Sequence, residues 1–423
     1  MVRRIDWITI LLYGLLVFIG WINIYSTTLN EDFSSFLDFS TLYGKQLFFI
    51  LLAFILAIGI FFVESTFFER FGSLLYIISL VLLLGLFLFG KTIGGAKSWY
   101  DLGIFNFQPS EFAKIATALA LAKYLSDIQT DIRRVKHQWY AILIILIPAI
   151  LILPQPDPGS SLVYFALFFV LFREGLPIIY LGLALILIMI FIFTLMYGVV
   201  WVGIGLGLLT SLVFLFKRPT VKIPTRPLLI FIVSCLLISL SVRFVYNEVF
   251  EQRHRNRFDL WLRIEKDERK LNEIRKTIGY NTFQAEKAIE SGGLTGKGFL
   301  EGTRTKGDFV PEQHTDYIFS SLGEEWGFLG TGFVILVYTL LFLRLLQLAE
   351  RQKRDFSRMY GYGVISILFI HYFVNIGMVI GLLPTVGIPL PFFSYGGSGI
   401  IFFTALLFIF LNLDANRLKE GIF

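Results

Sequence analysis

Residues 74–90 read LLYIISLVLLLGLFLFG, without one charged side chain. At 1.5 Å per residue such a helix crosses most of the roughly 30 Å hydrocarbon core of a bilayer. Similar runs recur on both sides, at about residues 7–25, 47–63, 112–125, 139–153, 161–172, 177–196, 199–216, 227–249, 328–346, 361–382 and 392–413, giving twelve in all. The fourth and sixth, 112–125 and 161–172, are short. They are expected to continue into flanking segments or to fall short of a full crossing.

The 423-residue chain is 56% hydrophobic and 16% charged, with a mean hydropathy of +0.73. An average soluble domain has about 25% charged residues. The fold class is therefore an all-α polytopic membrane protein. The net charge of +6 does not indicate nucleic-acid binding, because the basic residues sit in short loops between apolar runs. Cys235 is the single cysteine and lies within such a run, which excludes an internal disulfide and a cysteine metal site. The first run lacks a small-residue cleavage site and reads as a retained helix.

Charge sets the orientation. With the N-terminus inside, the inner loops hold Arg3, Arg4, Arg70, Arg133, Arg134, Lys136, Arg173, Lys217, Arg218, Lys222, Arg226, Arg351, Lys353, Arg354, Arg358, Arg417 and Lys419. The short outer loops hold little beyond Lys91 and Lys97. This predicts cytoplasmic termini and places the long polar segment 250–327 outside. Within it, FDLWLRIEKDERKLNEIRK (258–276) spaces Leu260, Ile264, Leu271 and Ile274 as a helix would. A membrane-surface helix and a solvated spacer both fit.

The rest of that loop, QAEKAIESGGLTGKGFLEGTRTKGDFVPEQHTDYIFSSLGEEWGFLG (284–330), is rich in glycine and aromatic residues. Gly292, Gly293, Gly296 and Gly298 permit tight turns but match neither a P-loop nor a dinucleotide fingerprint. Pro311 marks a turn, and a helix is expected to start near Thr315, placing Asp316, Ser320 and Glu324 on one face. A carboxylate entering a membrane helix is either functional or a helix-start charge favoured by the macrodipole. Glu111 and Lys114, in FNFQPSEFAK, are spaced for an ion pair. Asp157 stands between two prolines, which keep it out of regular helix. LPTVGIPLPFFSYGGSG (383–399) predicts irregular backbone, tolerated at membrane depth only where it lines a cavity or is buried in protein. All these segments reach the outer half, where one site would collect them. His371 and Asn375, four apart in a membrane helix, read as packing residues that hydrogen-bond between helices. No histidine has metal-ligand spacing.

Five segments then carry a resemblance: GGAKSWYDLGIFNFQPSEFAK (94–114), PQPDPGSSLVY (154–164), YNTFQAEKAIESGGLTGKGFLEGT (280–303), FVPEQHTDYIFSSLGEEWGFLG (309–330) and GLLPTVGIPLPFFSYGGSG (381–399). In this order they resemble the signatures of the SEDS (shape, elongation, division, sporulation) family, in its elongation branch more than its division branch. The resemblance implies a bundle of ten core membrane helices in one domain, 1–423. Here it would become twelve, with 177–226 an added pair and 250–327 the long extracytoplasmic loop. Residues 265–276 look like an insertion, and His254 stands where relatives often have glutamine.

The resemblance also implies an activity at the outer face of a bacterial cytoplasmic membrane. SEDS proteins are peptidoglycan glycosyltransferases that polymerise lipid II with inversion and release undecaprenyl pyrophosphate. They work with a class B penicillin-binding transpeptidase and, in elongation, with other membrane proteins of that complex. Asp316 matches the family's essential catalytic aspartate and is the candidate general base. Glu111, Lys114, Asp157 and Trp99 match further family positions. Lys97, Lys114, Arg304 and Lys306 are candidates to stabilise the leaving pyrophosphate, with Mg²⁺ or another divalent cation the candidate cofactor. Glu312, His314, Thr315, Ser394, Gly396 and Gly397 complete the expected substrate site. A lipid II flippase or a non-catalytic scaffold are the rival readings. A flippase would not need the long loop ending in His-Thr-Asp, and no repeat symmetry is visible.

Overall fold

The computed structural model describes residues 5–28, 38–93, 95–103, 106–216, 225–250, 252–262, 264, 269, 279–307, 309–310 and 312–418. Each of the twelve apolar runs contains helix, and the eleventh and twelfth are separated by irregular backbone at 380–396. Among the described residues, nine helices are long and apolar enough to cross a membrane. These include α1 (Trp7–Thr28), α2 (Leu42–Phe62), α3 (Ser65–Phe89) and α5 (Val135–Ile152). The fourth run forms α4 (Pro109–Leu125), in which three charged residues interrupt the apolar sequence. The sixth is broken into α6 (Pro158–Tyr164), a 3-10 turn and α7 (Phe168–Arg173). Both α4 and α6 begin with proline, whose missing N–H costs nothing at a helix start.

The chain divides into two compact units, 177–280 and the remainder. The smaller unit contains α8 (Ile179–Tyr197), α9 (Val199–Phe216), α10 (Thr225–Phe244) and α11 (Gln252–Trp261). Gly198, at φ 83°, turns α8 into α9. The hydroxyls of Thr194 and Ser239 bond at 2.7 Å, and Tyr246 donates to Asp259 at 2.6 Å. Leu271, Ile274, the expected insertion 265–276 apart from Arg269, Pro311, Arg3, Arg4, Lys217, Arg218, Lys222, Lys419 and the side chain of His254 lie outside the description.

The larger unit adds α12 (Tyr280–Gly292), α13 (Thr303–Lys306), α14 (Ile318–Glu350), α15 (Asp355–Val379) and α16 (Gly397–Asn416). Helices α15 and α16 are mostly buried, against α4, α14 and α2, whereas α3 keeps most of its apolar surface outward. At one end of this bundle Arg344 bonds Asp6, and Arg351 Nε donates to Asp414 Oδ1 at 2.9 Å. Arg173 bonds Glu350 at 2.8 Å and Arg358 bonds Glu174 at 3.1 Å at the same end. The motif segments lie at the other end, so the charge asymmetry and the motifs sort to opposite faces.

One element departs from the all-α expectation. Strands β1 (Lys91–Ile93), β2 (Ala96–Asp101) and β3 (Asn106–Phe107) form a small antiparallel sheet between α3 and α4. The Gly-Gly dipeptide at 94–95 is a two-residue hairpin signal, and Gly95 has φ 83°.

Candidate active site

Segment 384–396, between α15 and α16, is where the motifs meet. Its shape follows from its prolines and from Gly387, at φ 79°. A Cβ on Gly387 would lie 3.1 Å from Asp316 Oδ2. A Cβ on Gly159, two residues after Asp157, would lie 3.1 Å from both Gly387 O and Val386 O. The same short stretch therefore separates the half-buried Asp316 from the start of α6.

Asp316 lies in a turn over 312–317, two residues before α14 begins. This corrects the expected helix start near Thr315 and the shared face of Asp316, Ser320 and Glu324. The reason lies in three successive carbonyls. His314 O accepts from Tyr395 N at 2.8 Å, Thr315 O from Ser394 Oγ at 2.6 Å, and Asp316 O from Asn375 Nδ2 at 2.8 Å. Tertiary donors take the acceptors that a first helical turn would use. The rings of His314 and Tyr395 meet edge to face at 5.8 Å. Thr315 Oγ1 donates to Glu312 Oε2 at 2.8 Å.

Asp157 caps α6. Ser160 N donates to its Oδ1 at 3.0 Å, and Ser160 Oγ and Gln108 Nε2 reach Oδ2 at 2.7 and 3.1 Å. On α4, Lys114 and Glu111 are an ion pair at 2.6 Å, with side chains 2% and 4% exposed. Lys114 Nζ also lies 2.9 Å from His371 Nε2 and 5.3 Å from the Phe403 ring centroid. An ammonium only donates, so His371 accepts at Nε2 and donates from Nδ1 to Pro389 O, 3.2 Å away. Lys114 thus reaches segment 384–396 through His371.

The loop before Asp316 is anchored on Glu324. That carboxylate accepts from Lys297 Nζ at 2.6 Å, Arg304 N at 3.0 Å and Thr305 N at 2.9 Å. Gln313 donates to Thr305 O at 3.0 Å, tying α13 to the Asp316 turn. The Arg304 guanidinium bonds Gln284, and Lys306 is exposed.

Asp316, Asp157, His314, Thr315 and Ser394 are therefore gathered around one segment, with Lys114 one residue removed. Gly396 and Gly397 turn toward α2 instead: Gly396 N donates to Gln46 Oε1 at 3.1 Å, and a Cβ on Gly397 would strike the Phe49 ring. Lys97 donates to Phe87 O at 2.8 Å at the end of α3, and Trp99 pairs with Lys91 in the sheet. The bonds of Gln108 and Ser160 to Asp157 are not visible in the sequence. His371 and Asn375, whose four-residue spacing is the sequence signal, hydrogen-bond between elements and also reach Lys114 and Asp316. Among the described residues no group of three or more His, Cys, Asp or Glu is placed to hold a metal.

The family model for the FtsW, RodA and SpoVE cell cycle proteins matches residues 6–219 and 203–419. The chain belongs to this family. It is 34% identical to the peptidoglycan glycosyltransferase MrdB of Escherichia coli K12 over 352 residues, 83% of this chain and 79% of that protein. It is 31% identical to the peptidoglycan glycosyltransferase RodA of Treponema pallidum, over 98% of both chains. The Thermus thermophilus rod shape determining protein RodA superposes with a TM-score of 0.61 at 26% identity, covering 98% of this chain and 97% of that one. A chain of a peptidoglycan synthase complex that coordinates polymerization and crosslinking gives 0.67 at 28% identity, over 98% of each. The family carries the SEDS signatures, and the fold is its polytopic helical bundle.

Proposed function

We propose that this protein is a peptidoglycan glycosyltransferase that polymerises lipid II at the outer face of a bacterial cytoplasmic membrane, with both termini in the cytoplasm. The observation that carries the site is the Asp316 carboxylate beside Gly387, at the bundle end opposite the arginine-rich one. Relationship to two peptidoglycan glycosyltransferases supports the reaction class.

Asp316 acts as general base. It takes the proton from the acceptor sugar's 4-hydroxyl as that oxygen attacks the donor's anomeric carbon. The bond from that carbon to the pyrophosphate oxygen breaks, with inversion, and undecaprenyl pyrophosphate leaves. A positioned base contributes about 10²–10⁴-fold. The leaving group needs charge stabilisation rather than a proton, and the cations Arg304 and Lys306 on α13 supply it. Lys114 is sealed by Glu111, His371 and Phe403, and acts on segment 384–396 instead. Glu312, His314, Thr315 and Ser394 line the acceptor side, and Asp157 lies across Gly387.

Cell elongation is favoured over division by the 34% identity to MrdB, against 31% for the FtsW of Thiomicrospira cyclica and 28% for that of Haemophilus influenzae. A class B transpeptidase is the working partner, a reading supported by likeness to a chain of a peptidoglycan synthase complex. Helices α8 and α9 are read as a helical pair added to the family core, because the SEDS pattern has ten helices and this chain has twelve apolar runs.

The experiment is to supply lipid II to the purified protein, with and without its transpeptidase, and to resolve the glycan on a gel. Polymer from the complex supports the reading. Absence of polymer, together with transfer of lipid II between leaflets of a vesicle, would favour a flippase.

A further inference from the structure

Helix α15 presents two fully buried polar side chains one turn apart, His371 at 1% and Asn375 at 0% exposure. Each makes two bonds, and the bonds are parallel in design. His371 joins Lys114 Nζ to Pro389 O at 2.9 and 3.2 Å. Asn375 donates from one nitrogen to Ile388 O at 2.7 Å and to Asp316 O at 2.8 Å. Adjacent carbonyls of segment 384–396 are thus held by adjacent turns of one rigid helix. The far end of one side chain is the buried lysine, and the far end of the other is the backbone of the proposed base.

Packing alone does not account for this. Asn375 Oδ1 and Glu111 Oε2 are buried with no hydrogen-bond partner among the described residues. An unsatisfied buried acceptor costs about 1–3 kcal/mol, and an apolar side chain at either place would avoid that cost. The two residues retain polar groups whose remaining bonds all fix Asp316, Lys114 and the segment between them.

We infer that His371 and Asn375 are positioning residues for the transferase reaction, holding Gly387 and the Asp316 carboxylate in register so that the base meets the acceptor hydroxyl. The inference rests on the glycosyltransferase reading above. It assigns both side chains an effect on turnover rather than on substrate capture, because neither reaches the surface.

The test measures initial rates of lipid II polymerisation by the purified protein–transpeptidase complex across a lipid II concentration series. His371→Leu and Asn375→Leu should each lower kcat by about 10²-fold, the scale of a misplaced catalytic group. KM should stay within roughly twofold, since uniform binding is untouched. His371→Asn keeps a donor for Pro389 O and His371→Gln keeps an acceptor for Lys114, so at least one should recover much of the lost kcat. Tyr360→Phe is the control. It removes a buried bond of 3.1 Å from the same helix to Leu406 O, away from the segment, and should leave kcat unchanged. If the leucine variants do not fold, the Asn and Gln variants against Tyr360→Phe carry the test. Leucine variants with wild-type kcat, or a Tyr360→Phe loss as large as theirs, would overturn the inference. An inactive wild-type complex would instead remove the glycosyltransferase reading beneath it.

Discussion

Asp316 Oδ2 lies 3.1 Å from the point where a Cβ on Gly387 would sit. The residue opposite the proposed base is thus one that cannot take a side chain without touching it. Gly387 also has φ 79°, where an L-residue is strained by roughly 1–2 kcal/mol. Gly387→Ala should lower stability by about that amount and lower polymerisation by far more, about 10²-fold, because the methyl displaces the carboxylate. Thermal unfolding and initial rates on the same preparation separate the two effects.

The buried pair of Glu111 and Lys114 should behave as a unit. Lys114→Met leaves a carboxylate without its cation in a dry site, and Glu111→Gln leaves the reverse. Each should cost about 3–5 kcal/mol, and the double variant less than their sum. A double-mutant cycle on unfolding free energy measures the coupling.

The loop glycines should not be equivalent. Gly327 has φ 63° and ψ −160°, and a Cβ there would come within 2.3 Å of Gly296 N. Backbone must move to accommodate Gly327→Ala, which should detach 292–307 from the start of α14 and abolish activity. Gly293 has φ 56° but open space around it, so Gly293→Ala should cost only the conformational strain, about 1–2 kcal/mol. Protease sensitivity of the loop reports the difference directly.

At the opposite end, burial pushes the Asp6 carboxyl up, but bonds from Arg344 and Thr9 outweigh it and hold its pKa below the ordinary value. A carboxyl lowered in the folded state contributes stability above the unfolded pKa of about 4, and loses it as pH falls through the folded value. Wild type should therefore melt above Asp6→Asn at neutral pH, and the gap should close below about pH 4. A melting series over pH checks the sign.

The helices and motif segments were legible because apolar length and proline and glycine placement are local properties. Each of the twelve runs contains helix, nine of them long enough to cross a membrane among the described residues, and the Glu111–Lys114 pair followed from its spacing. What the sequence left hidden was set by distant partners. Thr315 looked like a helix start until Ser394, 79 positions away, took its carbonyl. His371 looked like packing because its partner Lys114 is 257 positions away. Lys114 looked available to a phosphate for the same reason. The small sheet at 91–107 escaped notice although its Gly-Gly turn was visible.

As the proposed base, Asp316 must lose its function when its carboxylate becomes an amide. Asp316→Asn keeps the side chain's shape and the backbone bond to Asn375 but cannot take a proton. The measurement is glycan synthesis from lipid II by the transpeptidase complex carrying this one change, beside wild type and checked for folding. Synthesis should fall about 10²-fold or more with lipid II binding retained. Polymer formed at the wild-type rate would contradict it.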